Sequence, residues 1–483
     1  MSDFDLAAAA RHEMAAQGFN PEFPSETNAQ LAAIAARPAP SPSASVKDLR
    51  NLPWSSIDND TSRDLDQIEF SERTSDGIRV LVGIADVDAA VDLHSPIDAH
   101  AASETTSVYT TVLTFPMLPE RLSTDLTSLN EDGGRYAIVI EYTVNADGSM
   151  TKSSIYRALV ANHAQLTYSA IGPWLEGVAP PPQKITASPE LAAQVKMQDE
   201  AACALRNMRQ KLGALDFDRT EARVVIENGK VQSLAAHKKN RAGDLIEDFM
   251  IAANEVMAQS LSKSGHPYIQ RVVKSPERWN RIVQLAATYK EALPEEADSA
   301  ALNAFLKKRK AVDPVHYPDL SLAVMKLMGP GEYAVTRPGE VSPGHFSLAA
   351  HSYSHSTAPN RRYADIVTQR LVKAMLAGQP SPYSDDELEA IARNCTLKED
   401  AARKVERNMN KRMAAVALSG RIGDSFHAVV TGVTPKGTFV RVLELPAEGR
   451  LMHDEQGVDV GDQIQVRLMR ADPQTGFIDF GKQ

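Results

Sequence analysis

Three aspartates, Asp58, Asp64 and Asp66, crowd one short segment, DNDTSRDLDQ, between Ile57 and Ile68. Carboxylates this close repel one another, so such a cluster is tolerated in solvent or around a cation that neutralises it. Oxygen-only donors suit a hard ion such as Mg2+, which is held by one or two carboxylates together with substrate phosphates. On a strand, Asp64 and Asp66 point to the same side. Asp58 arrives from the preceding loop, and Asp60 is offset within it. The chemistry this pattern could do is metal-assisted reaction at phosphate. A functionless acidic turn has the same residues, so the cluster alone leaves both readings open.

A second constellation lies in HFSLAAHSYSHSTAPNRRYADIVTQRLVKAM, residues 345–375. Pro359 and Asn360 close one segment, and an amphipathic helix begins near Tyr363. Arg361 and Arg362 stand just before its N-terminus, where free N–H groups and the helix dipole favour anions. Arginine adds two-pronged phosphate binding, although a solvated pair explains the same residues. Tyrosines supply a third element. Tyr109 opens SVYTTVLTFPMLPERLSTDLTSL (107–129), and Tyr168 lies in QLTYSAI. Such rings can stack on bases or serve as half-buried packing.

The elements that must position these residues change along the chain. From about 50 to 170 it reads mostly as strand, with IRVLVGIADV (78–87) and YAIVIEYTV (136–144) rich in Val and Ile. TKSSIYRALV follows the turn Asn145-Ala146-Asp147-Gly148. From about 186 helices dominate. Residues 189–212 and 244–263 are long and periodic, the latter with Leu245, Phe249, Ala252 and Ala253 on one face. Residues 385–419 form a further helix. Its basic run, Arg403, Lys404, Arg407, Lys411 and Arg412, can guide a polyanion or form a solvated face.

The N-terminal 38 residues predict two short helices, the first stopped at Gly18 and the second with Ser25 as N-cap. They fit a helix-turn-helix-like module or simple packing elements. ARPAPSPSAS (36–45) is a linker. The last 63 residues hold five short strands, FHAVVTGV, GTFVRVL, GRLMH, DQIQVRLMRA and GFIDF, which fit a small OB-type barrel. Phe426, Phe439 and His453 are its candidates for stacking on single-stranded nucleic acid, with barrel core as the other assignment. Three units are therefore expected: 1–45, 46–420 and 421–483.

Composition bounds the classes. A chain of 483 residues is long for one ordinary domain. Cys203 and Cys395 are its two cysteines, which excludes a disulfide framework and favours a cytoplasmic location. MSDFDLAAAARHEM is not a secretory signal, and the absence of a run of about 18 apolar residues predicts no transmembrane helix. A net charge of −10 argues against a protein that coats nucleic acid over its whole surface. It permits an enzyme whose positive charge is confined to a cleft.

Together these segments resemble the ribonuclease II / ribonuclease R (RNB) family of processive 3′-to-5′ exoribonucleases. IDNDTSRDLDQIEF resembles the family's catalytic aspartate motif, and FPMLPERLSTDLTSLN its Pro-Met-Leu-Pro segment. GALDFD (213–218), IEDFMIAAN (246–254) and HSTAPNRRYADIV are similar to three further blocks, and the terminal barrel resembles an S1-type RNA-binding domain. The ordered resemblance covers about 50 to 483. It implies an α+β fold: an RNB-type catalytic domain with mixed sheets wrapped by helices, a C-terminal all-β S1-type barrel and a short helical N-terminal segment.

The resemblance also implies roles. Asp58, Asp64 and Asp66 are the expected metal-site carboxylates, with Gln67 beside them and activity depending most on Asp66. Arg361 is expected to hold the scissile or adjacent phosphate, with Arg362 also on RNA. Tyr168 is expected to stack near the 3′-terminal nucleotide, Tyr109 and Phe217 to clamp bases nearer the channel mouth, and Glu247 to contact the terminal ribose and its 2′-OH. Phe439 and His453 complete the expected RNA contacts. One or two Mg2+ ions would support in-line hydrolysis of single-stranded RNA to nucleoside 5′-monophosphates by a monomer.

Three departures stand out. The family usually has a fourth aspartate where this chain has Gln67. Ala358 and Asn360 replace the usual Ser and Ile beside Arg361. About 49 residues precede the catalytic block, too few for the two cold-shock barrels of the relatives, so a changed preference for structured RNA is expected. The alternative function is a catalytically silent RNA-binding protein of the same fold, its chemistry lost through Gln67.

Overall fold

The computed structural model describes residues 4–217, 220–227, 230–314, 316–434, 437–443, 445, 447–453 and 457–483, without the side chains of 220–227, 230–238 and 453. Its central sheet is mixed and curls back on itself. Trp54–Asp58 pairs with Gln67–Arg73, which pairs with Ile78–Ala85, which pairs with Gly134–Val144, each antiparallel. The 18-residue strand Met150–Thr167 closes the circuit. Its Met150–Ala161 portion runs antiparallel to Gly134–Val144, and Asn162–Thr167 runs parallel to Trp54–Asp58. Lys47–Asp48 adds a short parallel edge.

The Val/Ile runs predicted as strands are buried on both faces, as expected where helices cover a sheet. Trp54, Ile57, Ile68, Leu81 and Ile84 are fully buried. Pro189–Lys211 and Arg241–Ser264 pack on this sheet, the second burying the predicted stripe of Leu245, Phe249, Ala252 and Ala253. Full burial of a ring such as Phe249 contributes about 2–3 kcal/mol.

The region expected to be helical beyond 186 also contains strands. Thr220–Glu227 and Lys230–Lys238 form an antiparallel hairpin, and Tyr268–Val272 pairs with Glu332–Thr336. These runs are short and only partly β-branched, and the helices around them obscure their period.

The helix Asp385–Leu418 runs 34 residues and opens with a capping box, Ser384 and Glu387 each bonding the other's backbone N–H. Its last turns enter the C-terminal unit. Met413, Ala415 and Leu418 form one buried cluster with Phe426, Val440, Leu451, Leu468 and Phe480 of a closed five-stranded barrel. Arg441 pairs with Asp319 at 2.8 Å and ties the barrel's other side to the helix Tyr317–Met328.

Leu6–Ala16 and Ser25–Ala35 are the two N-terminal helices. Asp5 caps the first, and Gly18 takes the left-handed conformation (φ 80°) that ends it. Ser25 is not the cap of the second. Pro24 holds that position, and Ser25 turns its hydroxyl to Glu26, because the proline already fixes the chain's approach. Both helices pack on the body. Leu6–Ala16 lies on the long helix, and Gln30 of the second bonds Ser95 and Ile97 at the start of Pro96–Glu104. Among the described residues no helix is long and apolar enough to cross a membrane.

Candidate active site

The three aspartates open onto one cleft of about 580 Å3. Asp58 ends its strand and accepts bonds from the Ser62 hydroxyl (2.6 Å) and the Asn59 N–H (2.8 Å). The loop then returns through Leu65, whose N–H donates to Ser128 Oγ (2.8 Å) and whose carbonyl accepts from Leu129 (2.9 Å). The segment after Pro-Met-Leu-Pro therefore pins the acidic loop. Asp64 is half-buried and accepts the Tyr109 hydroxyl at 2.7 Å.

Asp66 is 2% exposed. Its Oδ1 accepts the Asn360 N–H (2.9 Å), and its Oδ2 accepts Arg361 Nε (3.3 Å). Burial pushes its carboxyl up to about 7, against the pull of Arg361 and the Asn360 bond. A buried carboxylate with so little local compensation favours a proton or a further cation. Gln67 is buried beside it and donates to the Ile57 carbonyl (3.3 Å), while its Oε1 accepts no bond from any described residue.

Arg361 reaches the cleft from the loop before Tyr363–Leu376, and its side chain stays 51% exposed. Arg362 does not line the cleft. It forks onto Asp365 at 2.9 and 2.7 Å, closing the start of its own helix. The substitutions flanking Arg361 have visible work. Asn360 accepts the Thr127 hydroxyl (2.6 Å), and the Ala358 N–H donates to Asp365 (2.8 Å). Asp365 and Thr127 are structural partners that the sequence reading missed, although an aspartate in the first helical turn after two arginines was a usable signal.

Tyr168 lines the cleft at the start of Tyr168–Leu175, its carbonyl accepting from Asn240 (2.7 Å). A Cβ at Gly172 would lie 2.3 Å from Asn240, so this tie depends on that glycine. Burial raises the Tyr168 and Tyr109 phenols well above their ordinary range. Ile246 and Met250 add an apolar wall that sequence reasoning did not single out.

Other expected residues lie elsewhere. Glu247 follows Ile246 on the helix but faces solvent and pairs with Lys239. Phe217 is half-buried against Trp279, Phe305 and their neighbours, away from the cleft. Phe426, a stacking candidate, is barrel core at 3% exposure, edge-on to Phe480 with centroids 6.4 Å apart, because its strand turns that face inward. Phe439 is half-buried. The His453 side chain lies outside the described residues. Phe477, 59% exposed, is an open aromatic on the barrel that was not anticipated.

Three carboxylates and an amide oxygen are the right donor set for a hard divalent ion, and the raised Asp66 carboxyl marks where its charge would be felt. The set fits by chemistry. Among the described residues, no three His, Cys, Asp or Glu side chains converge into a ready-made cage.

The RNB domain matches residues 46–378, and the RNase II-type exonuclease C-terminal S1 domain matches 424–483. Ribonuclease R of Thermotoga maritima is 30% identical over 97% of this chain and 69% of its own length. Ribonuclease R 1 of Lactococcus lactis is 30% identical over 95% of this chain and 59% of its own. The chain thus spans about three fifths of the length of several curated relatives. Mycoplasma genitalium RNase R, solved in complex with ribose methylated single-stranded RNA, has the same fold. Its TM-score is 0.89 at 22% identity, covering 100% of this chain and 78% of that one. The acidic loop, the Arg361 loop and the barrel all lie within these matches, and the chain belongs to the RNB-domain family of ribonuclease R-like proteins.

Proposed function

We propose that the chain is a 3′-to-5′ exoribonuclease that hydrolyses single-stranded RNA processively to nucleoside 5′-monophosphates, as a cytoplasmic monomer using Mg2+. The observation that carries this reading is the cleft itself, where Asp58, Asp64 and Asp66 face the half-exposed Arg361 between two tyrosines. The relatives' name, ribonuclease R, points the same way.

In this mechanism water attacks the terminal phosphodiester in line, the 3′-oxygen leaves, and the shortened strand ends in a 3′-hydroxyl. Asp58, Asp64, Asp66 and the Gln67 carbonyl would hold the divalent ion. When bound, it supplies positive charge to the phosphate and lowers the pKa of water. Arg361 keeps free guanidinium donors toward the cleft, suited to the charge that grows on the phosphate oxygens. Asp66 fixes that guanidinium through Nε. Tyr168 would stack on the 3′-terminal base. Glu247, Phe217, Arg362 and Phe439 would meet RNA along its path outside the cleft, and His453 on the barrel.

The test is a gel time course on 5′-labelled single-stranded RNA with Mg2+, beside EDTA and an Asp66→Asn control. Collapse of a long strand to a short core, only with metal and only with Asp66, is expected. RNA that is bound and left intact would overturn the reading and favour the silent RNA-binding alternative.

A further inference from the structure

The short hairpin of Val108–Tyr109 and Thr114–Phe115 has two different faces. Tyr109 and Thr114 line the cleft. Val108 and Phe115, paired with each other across the hairpin, turn the opposite way and are buried with Ala10, Met14 and Phe19 of the N-terminal segment and with Val405 and Met409 of the long helix. Among the described residues, the apolar cluster that buries this side of the hairpin is drawn from the N-terminal segment and the long helix, with Leu113 of the hairpin's own turn packed against it.

The N-terminal helix is fastened in place by polar contacts near and just beyond its C-terminal end. Glu13, itself buried, accepts from Asn408 (2.7 Å) and faces Arg412 (3.4 Å) on the long helix. Beyond its end, Lys398 donates to the Gly18 carbonyl (2.8 Å) and lies 4.5 Å from the Phe19 ring centroid, while the Asn20 N–H donates to Glu104 (2.9 Å). At the hairpin's base, the Ser107 N–H donates to the Arg361 carbonyl (3.0 Å). The braced strand thus touches both an acidic residue of the cleft and the arginine loop.

We propose that the helix Leu6–Ala16 is a positioning element of the cleft: by burying Val108 and Phe115 it fixes the hairpin so that the Tyr109 hydroxyl orients the Asp64 carboxylate. Tyr109 is on this account a positioning residue, in addition to any stacking by its ring. The catalytic consequence rests on the exoribonuclease reading. The mechanical part does not.

Tyr109→Phe separates the two roles, since it keeps the ring and removes the donor. A hydrogen bond to a charged group is among the stronger ones, so single-turnover cleavage at saturating enzyme should slow about tenfold. The RNA Kd in EDTA should change less than about twofold, because the stacking face is retained. Met14→Ala should raise backbone hydrogen exchange across 106–116 and slow cleavage about threefold. In the Tyr109→Phe background it should still raise exchange yet add no further slowing, the mark of two residues acting in series. Glu13→Gln, a milder loosening of the same helix, serves if Met14→Ala fails to fold. Unchanged exchange over 106–116 in these variants, slowing that multiplies in the double variant, or a Kd that weakens in step with the rate in Tyr109→Phe overturns the proposal. A wild-type chain that cleaves no RNA would defeat the nuclease reading instead, and the exchange data would then decide the brace alone.

Discussion

Two neighbouring arginines meet two buried aspartates and end differently. Arg362 lays two nitrogens on Asp365, whose carboxylate has no exposure and also takes the Ala358 N–H. Arg361 touches Asp66 through one nitrogen at 3.3 Å and leaves its side chain 51% exposed. The first pair is closed: two guanidinium nitrogens meet both oxygens of the carboxylate within one turn of chain. The second is open, and its remaining guanidinium donors look into the cleft. Residue type and position are nearly the same, so the difference in role lies in what each side chain has left over after folding. A buried pair that is fully satisfied defines a structure. One that is half satisfied is prepared for a ligand.

The largest effect should come from neutralising the open aspartate. Asp66→Asn is expected to lower the cleavage rate about a thousandfold. It should do the opposite to the metal-free fold. The folded protein holds the Asp66 proton up to about pH 7, whereas the unfolded chain releases it near the ordinary 3.8. Asp66 therefore weakens the metal-free native state progressively as pH rises between those values, and the penalty levels off above them. In EDTA, Asp66→Asn should melt higher than wild type at pH 8 and show a flatter pH dependence. A lower melting temperature would mean that the open pair is as closed as its neighbour.

Next come the arginines. Arg362→Ala should cost about 3 kcal/mol in urea denaturation, since it strands a buried carboxylate. Arg361→Ala should cost less, about 1 kcal/mol near pH 7, because the Asp66 carboxyl, already raised to about 7, takes up a proton in place of its partner, yet slow turnover about a hundredfold. Equal losses of stability would erase the distinction between the two. The smallest effect belongs to Gln67→Asp. A fourth charge on the open side should lower the half-saturating Mg2+ concentration about threefold. No change in a Mg2+ titration would place the Gln67 side chain with the scaffold.

Much of this was legible because it is local. The acidic segment, the Arg-Arg helix start, the Val/Ile strands and the five barrel strands each carry their period or motif within a dozen residues. The linkages were not legible. Asp66 meets Arg361 across 295 residues, and Tyr109 meets Asp64 across 45, with no local pattern announcing either. Aromatic residues misled for a related reason. Phe426 and Phe217 carry the chemistry of base stacking, but a ring's role depends on which way its strand or loop turns, and both turn toward apolar neighbours. Phe477 sits at a strand start that composition does not distinguish.

The sequence boundary at 421 divides the molecule where its physics does not. Met413, Ala415 and Leu418 are buried in one apolar cluster with the barrel's strands although they sit on the helix that precedes it. A fragment beginning at 421 would leave part of its own filling behind and expose the matching hollow to water. The smallest autonomous C-terminal piece should therefore start near residue 410. For the same reason, a barrel that moves relative to the catalytic body should carry the end of that helix with it.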